Sequence, residues 1–130
     1  MIQTLFSVAL GGALGASGRY LVNVTASRVL GGGFPYGTMI VNILGSCLMG
    51  ALVVVLAQKG GMRFAPFLMT GILGGFTTFS AFSLDAVTIY ERGQLTLAAF
   101  YVLTSVVVSV LALMAGMAMA RAVLNTGALG

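Results

Sequence analysis

A chain of 130 residues with six Lys or Arg, two acidic residues and no His carries too few charges to face water as a soluble domain. A mean hydropathy of +1.11 agrees, and the net charge of +4 comes from basic residues near the ends of apolar stretches, where anionic headgroups and snorkelling account for them. A soluble enzyme is excluded, and nucleic acid is not an expected partner.

The charges stand at Arg19, Arg28, Lys59, Arg63, Asp85, Glu91, Arg92 and Arg121, leaving Val29 to Gln58, Phe64 to Leu84 and Gly93 to Ala120 free of them. Each stretch reaches the roughly 20 residues that cross a bilayer as a helix. A fourth candidate precedes them. Span 1 is expected from about Ile2 to Val22, with an outer limit at Leu30, followed by a Gly31-Gly32-Gly33-Phe34-Pro35 turn. No Lys or Arg precedes its apolar run, so it is expected to stay as a helix and not to act as a removable signal peptide. Span 2 covers Thr38 to Gln58 and stops at Lys59-Gly60-Gly61. Span 3 covers Phe64 to about Tyr90 and is closed by Glu91-Arg92-Gly93, and span 4 runs from Leu95 to about Val123 before a frayed tail. Runs such as Ala51-Leu52-Val53-Val54-Val55-Leu56-Ala57 do not alternate, so these are helices and not barrel strands. The expected fold is all-α: one membrane domain over residues 1–130, with no soluble lobe.

Loop charges set orientation weakly. The side holding the N-terminus and the span 2–3 loop has Lys59, Arg63 and Arg121, against Arg28 and Arg92 on the other, and Arg19 near the end of span 1 evens the count. Insertion both ways, with pairing as an antiparallel dimer, is one expectation; a fixed orientation is the other. Small residues recur at helix-packing spacing in Gly11 and Gly15, Ser46 and Gly50, Gly71 and Gly75, and Gly116 and Ala120. They could serve a dimer or the helices of one subunit. Four helices enclose little room for a polar passage, which favours a pathway at a subunit interface. Cys47 is alone at mid-span, able to form neither a metal site nor an internal disulfide, and reads as a small buried apolar residue.

Polar and glycine residues crowd the middle of span 3, from Gly71 to Ser83. Tandem Gly74-Gly75 before Thr77 and Thr78 is a point where the helix could break, freeing carbonyls that a cation would satisfy. The alternative is an unbroken helix whose hydroxyls bond back to their own turns. Phe76, Phe79 and Phe82 share a face, either as a packing stripe or as rings whose positive edges meet an anion. Arg19 and Asn42 are polar outliers inside spans: Arg19 either snorkels or lines a vestibule, and Asn42 either lines a path or bonds a neighbouring helix. Tyr101, Ser105 and Ser109 repeat every four residues along span 4, a possible ladder of hydroxyl donors. There is no His, no Cys pair, no phosphate-binding glycine loop and no acid pair at mid-membrane, so hydrolysis, redox chemistry and ATP-driven pumping lack parts. Movement of a small solute remains.

The motifs Gly11-Gly12 with Gly15 and Arg19-Tyr20, Gly37-Thr38-Met39-Ile40-Val41-Asn42, and Gly74-Gly75-Phe76-Thr77-Thr78-Phe79-Ser80-Ala81-Phe82-Ser83 occur in this order. Together they resemble the Fluc (CrcB-type) fluoride channel family over nearly the whole chain. The resemblance implies an antiparallel, dual-topology homodimer in the bacterial inner membrane, the third helix of each subunit broken at mid-membrane. It implies passive fluoride export through pores along the subunit interface and a central structural sodium ion (Na+). By the same resemblance the backbone carbonyls of Gly74 and Thr77 would hold the sodium, and Phe79 and Phe82 would be the pore phenylalanines. Asn42 and Thr38 would line the path, Arg19 would sit near the vestibule, and Ser80, Tyr101, Ser105 and Ser109 would supply hydroxyls. Phe76 matches a position usually filled by Leu and is assigned packing. Ala81 stands where the family commonly has Thr, and Asp85 where it usually has Glu. Small multidrug transporters share the size and topology but use an acidic residue in span 1, and this chain has none before Asp85. A purely structural membrane subunit is the third alternative.

Overall fold

The structure, a computed structural model, describes residues 1–129 and the side chains of residues 1–127. All of its regular structure is helical: α1 (Ile2–Leu30), α2 (Tyr36–Gln58), a 3-10 turn (Met62–Phe64), a π-wound segment (Pro66–Leu73), a single turn α3 (Gly74–Phe76), α4 (Phe79–Glu91) and α5 (Leu95–Leu129). Ile2–Leu30, Tyr36–Gln58, Met62–Glu91 and Leu95–Gly127 are each long and apolar enough to cross a membrane.

The ends follow from local chemistry. Helix α1 continues to the outer limit set by the sequence and stops at Gly31, whose φ of 86° only glycine adopts freely and whose N–H closes on Ser27 O. Pro35 fixes the entry to α2, which begins at Tyr36, two residues before the expected start. The helical backbone of α5 continues beyond Val123 to Leu129, with no proline to stop it.

The bilayer supplies no hydrophobic force between helices, so packing rests on how closely backbones approach. Two crossings to which both helices bring glycine do this within the chain, and a further close approach sets Gly37 of α2 against Asn23 of α1. A Cβ at Gly15 would strike the carbonyl of Ile72, and one at Gly75 would sit 2.7 Å from Gly12 O, so α1 lies flush on the third span. Likewise, a Cβ at Gly50 would strike Leu113 O and one at Gly116 would strike Cys47 O, so α2 lies flush on α5. Glycines of these small-residue pairs thus join helices within one chain. Cys47 is half-buried at the second crossing. Toward the other end of α5, Phe82, Ile89, Ala98 and Tyr101 form a buried cluster between α4 and α5. Large apolar side chains such as Phe6, Leu10, Leu103 and Leu111 cover the outside, as lipid contact requires.

Candidate functional site

Between α3 and α4 the backbone of Thr77 (φ −85°, ψ 156°) and Thr78 (φ −153°, ψ 117°) is extended. Tandem Gly74-Gly75 itself stays helical; the two β-branched residues, which crowd a helical turn, take the extended form. Thr77 N–H and Oγ1 both bond Leu73 O, at 3.0 and 2.9 Å, closing the preceding helix. Thr78 opens the next one as an N-cap, its Oγ1 accepting from Ala81 N–H at 3.1 Å.

Asn42 of α2 clamps the extended pair. Its Oδ1 accepts from Thr78 N–H at 2.7 Å while its Nδ2 donates to Thr78 O at 3.0 Å. A Cβ at Gly45, one turn along α2, would strike Thr77 Cγ2, so α2 sits hard against the same pair. Asn42 thus bonds a neighbouring segment and lines a groove beside it.

These bonds redirect the helical donors. In a regular helix Thr78 N–H would serve Gly74 O and Ala81 N–H would serve Thr77 O. Here the first goes to Asn42 and the second to the Thr78 hydroxyl. The carbonyls of Gly74 and Thr77 thus lose the donors that a continuous helix would give them. Gly75 O, between them in sequence, accepts from Arg19 Nε at 3.0 Å. Arg19 turns into the protein and does not snorkel, because a half-buried guanidinium in lipid needs an acceptor and the opened turn offers one. Back-bonding by hydroxyls also occurs, with Ser83 Oγ donating to Phe79 O at 2.9 Å.

We expect Asn42→Ala to strand the Thr78 N–H and C=O, each costing about 1–3 kcal/mol when left unsatisfied. Thermal stability in detergent should fall sharply, and Asn42→Asp, which keeps the acceptor for Thr78 N–H, should recover part of the loss.

Beside this clamp lies an open groove of about 260 Å³, where Asn42, Thr77, Thr78, Phe79 and Phe82 face Ser105 and Ser109 of α5. Oγ of Ser105 and of Ser109 are buried and have no hydrogen-bond partner in the protein. Buried hydroxyls are rarely left this way, so each keeps an unused donor. The Phe79 and Phe82 ring centroids are 5.5 Å apart at 48°, and Phe82 is 5.3 Å from Tyr101. Phe79 is 77% exposed whereas Phe82 is 8% exposed, so one ring faces outward and the other belongs to the core.

The remaining expected site residues lie elsewhere. Tyr101 is wholly buried behind Phe82, and its hydroxyl donates to Asp85 Oδ2 at 3.1 Å and not into the groove. Thr38 opens on a second cavity of about 220 Å³ beneath the Gly31–Gly33 turn, shared with Asn23, Asp85 and Arg92. The Ser80 hydroxyl lies 3.3 Å from Thr78 Oγ1 on an exposed face. Phe76 packs at the α1 crossing, where a Cβ at Gly18 would lie 3.6 Å from its ring. Ser46 and Thr78 are groove residues that the sequence reading did not assign; Ser46 follows Asn42 by four positions, the spacing of one helical face.

The family model described as "CrcB-like protein, Camphor Resistance (CrcB)" matches residues 6–117. A Cereibacter sphaeroides protein named "Fluoride-specific ion channel FluC" is 70% identical over 121 residues, covering 93% of this chain and 97% of its own length. Proteins of the same name from Ruegeria sp. and Paracoccus denitrificans are 58% identical over 126 residues and 55% identical over 121. They cover 96% and 93% of this chain, and 100% and 97% of their own lengths. Ion conduction, which these names state, is not an enzymatic activity. With the match spanning most of all four helices, the chain belongs to the CrcB family.

Proposed function

We propose that this chain is a fluoride-selective channel of the bacterial inner membrane, exporting fluoride passively at the interface of an antiparallel, dual-topology homodimer. The observation that carries this reading is the groove in which two aromatic rings face two buried hydroxyls without protein partners. Fluoride is small and strongly hydrated, so a path must replace its water with donors before it enters. Ser105 and Ser109 hydroxyls and the positive edges of Phe79 and Phe82 are such donors. No Lys or Arg lines the groove, so the ion meets several weak donors and no single strong one, which favours passage over capture. The names of the relatives support fluoride as the ion.

The dimer is supported by the groove's open side and by the outward-facing Phe79 ring, which a second copy would complete. Antiparallel pairing is supported by the near-even division of Lys and Arg between the two ends. The extended pair Thr77-Thr78 would be the mid-membrane break of the third span.

A structural sodium ion fits the residues present. Gly74 and Thr77 offer carbonyl oxygens relieved of their helical donors, the hard ligands that sodium takes at unwound membrane helices. Among the described residues no group of three His, Cys, Asp or Glu competes as a metal site. When bound, sodium would supply a positive charge that holds such carbonyls together. Asn42 and the Thr78 hydroxyl keep the two carbonyls free of backbone donors, and Arg19 occupies Gly75 O beside them.

Liposomes loaded with fluoride or chloride test the reading. We expect purified protein to release fluoride well above the protein-free leak and to leave chloride at that leak. Equal release of both, or of neither, would refute selective conduction. Protein prepared with N-methylglucamine in place of sodium should lose dimer and flux together. Reporters at the C-terminus should signal from both sides of the membrane; signal from one side alone would sink dual topology.

A further inference from the structure

We propose that the crevice between α2 and α5 at the Gln58 and Arg121 end binds an anionic phospholipid, with the phosphate on these two side chains and an acyl chain below them. The crevice, about 230 Å³, has Val53, Val54, Ala57 and Met117 as its walls and Gln58 and Arg121 at its mouth. Gln58 is the last residue of α2, which places the mouth where that helix leaves the hydrocarbon. Both mouth residues are exposed.

Charge selects the occupant. The acidic side chains, Asp85 and Glu91, lie on α4 near the start of α5, and Arg121 stands about 40 Å of helix beyond Leu95. At the Arg121 end the charged side chains are Lys59, Arg63 and Arg121, with no carboxylate among the described side chains to pair the guanidinium. Arg is the side chain best suited to grip a phosphate, and the Gln58 amide adds a donor beside it. A zwitterionic lipid would bring a phosphate together with an ammonium or choline that finds no acid there. A free phosphate would leave the apolar walls facing lipid tails without a specific occupant. An anionic phospholipid satisfies both the cationic mouth and the apolar floor.

The site is independent of the ion path, since none of its residues lines the Phe79 groove. Native mass spectrometry of the full chain, titrated with phosphatidylglycerol or phosphatidylcholine, tests it. Wild type should retain phosphatidylglycerol about fivefold more than phosphatidylcholine, the preference one surface Arg confers. Arg121→Gln should abolish the preference, and Gln58→Glu, an exposed change of nearly equal volume, should do the same by repulsion. Inorganic phosphate should not displace the lipid. Equal retention of the two lipids by wild type, undiminished preference in Arg121→Gln, or displacement by inorganic phosphate would each overturn the proposal.

Discussion

Fluoride efflux from liposomes carrying Phe79→Ile or Phe82→Ile should fall to the leak of protein-free vesicles, while chloride release stays at that leak. The two substitutions reach this result at different structural cost. Phe79 is 77% exposed in the single chain, so Ile there should shift the stability of the subunit fold itself by no more than about 0.5 kcal/mol. Phe82 is buried against Tyr101, and its replacement forfeits an aromatic pair worth about 0.5–1.5 kcal/mol beyond area. Phe79→Ile is therefore the sharper test of the ring edge, read on protein whose gel-filtration profile matches that of wild type. Ile matches much of the apolar bulk but has no quadrupole, so packing alone would predict retained flux. Efflux surviving both changes would remove the rings from the path.

The second large effect concerns assembly. Gly15→Val should abolish recovery of monodisperse protein, whereas Gly12→Ala should leave it unchanged. A Cβ at Gly15 meets the Ile72 carbonyl oxygen and, at 2.9 Å, Ile72 C and Phe76 N. All are backbone atoms, so relief requires moving α1 off the third span, at the upper end of the roughly 1–3 kcal/mol typical of overpacking, or beyond. A Cβ at Gly12 has nothing within 4 Å, although the residue is three positions away on the same helix. Gel filtration in detergent and the midpoint of thermal aggregation would check both variants. Equal behaviour of the pair would mean that the crossing does not govern assembly.

Much of the architecture was legible because charge is so scarce. Lys59-Gly60-Gly61 and Glu91-Arg92-Gly93 mark the ends of α2 and α4, where an uncapped charge cannot enter hydrocarbon. The clamp was not legible in its detail. Asn42 and Thr78 are 36 residues apart, and Arg19 and Gly75 are 56 apart, so only the fold reveals these as partners. The π winding of Pro66–Leu73 leaves no periodic trace in a run whose one polar side chain is Thr70. The location of the extended pair did have a local sign, a Thr immediately before a helical run, which marks an N-cap more directly than tandem glycine does. Composition likewise could not divide the span 4 stripe: Tyr101 and Ser105 sit one turn apart, yet one hydroxyl bonds Asp85 and the other faces the groove.

The two flush crossings also set an order of events during synthesis. Helix α1 makes its flush glycine crossing with the third span and α2 makes its own with α5, so these two crossings interleave along the chain, whereas α1 and α2 already meet where a Cβ at Gly37 would strike Asn23. The first hairpin closes on its own Gly37–Asn23 contact while the faces at Gly11, Gly15 and Gly50 stay uncovered until later spans arrive. Neither glycine crossing completes before the third span is inserted, and the second awaits the last. A stop after span 2 would leave a fragment in which neither flush glycine crossing has formed.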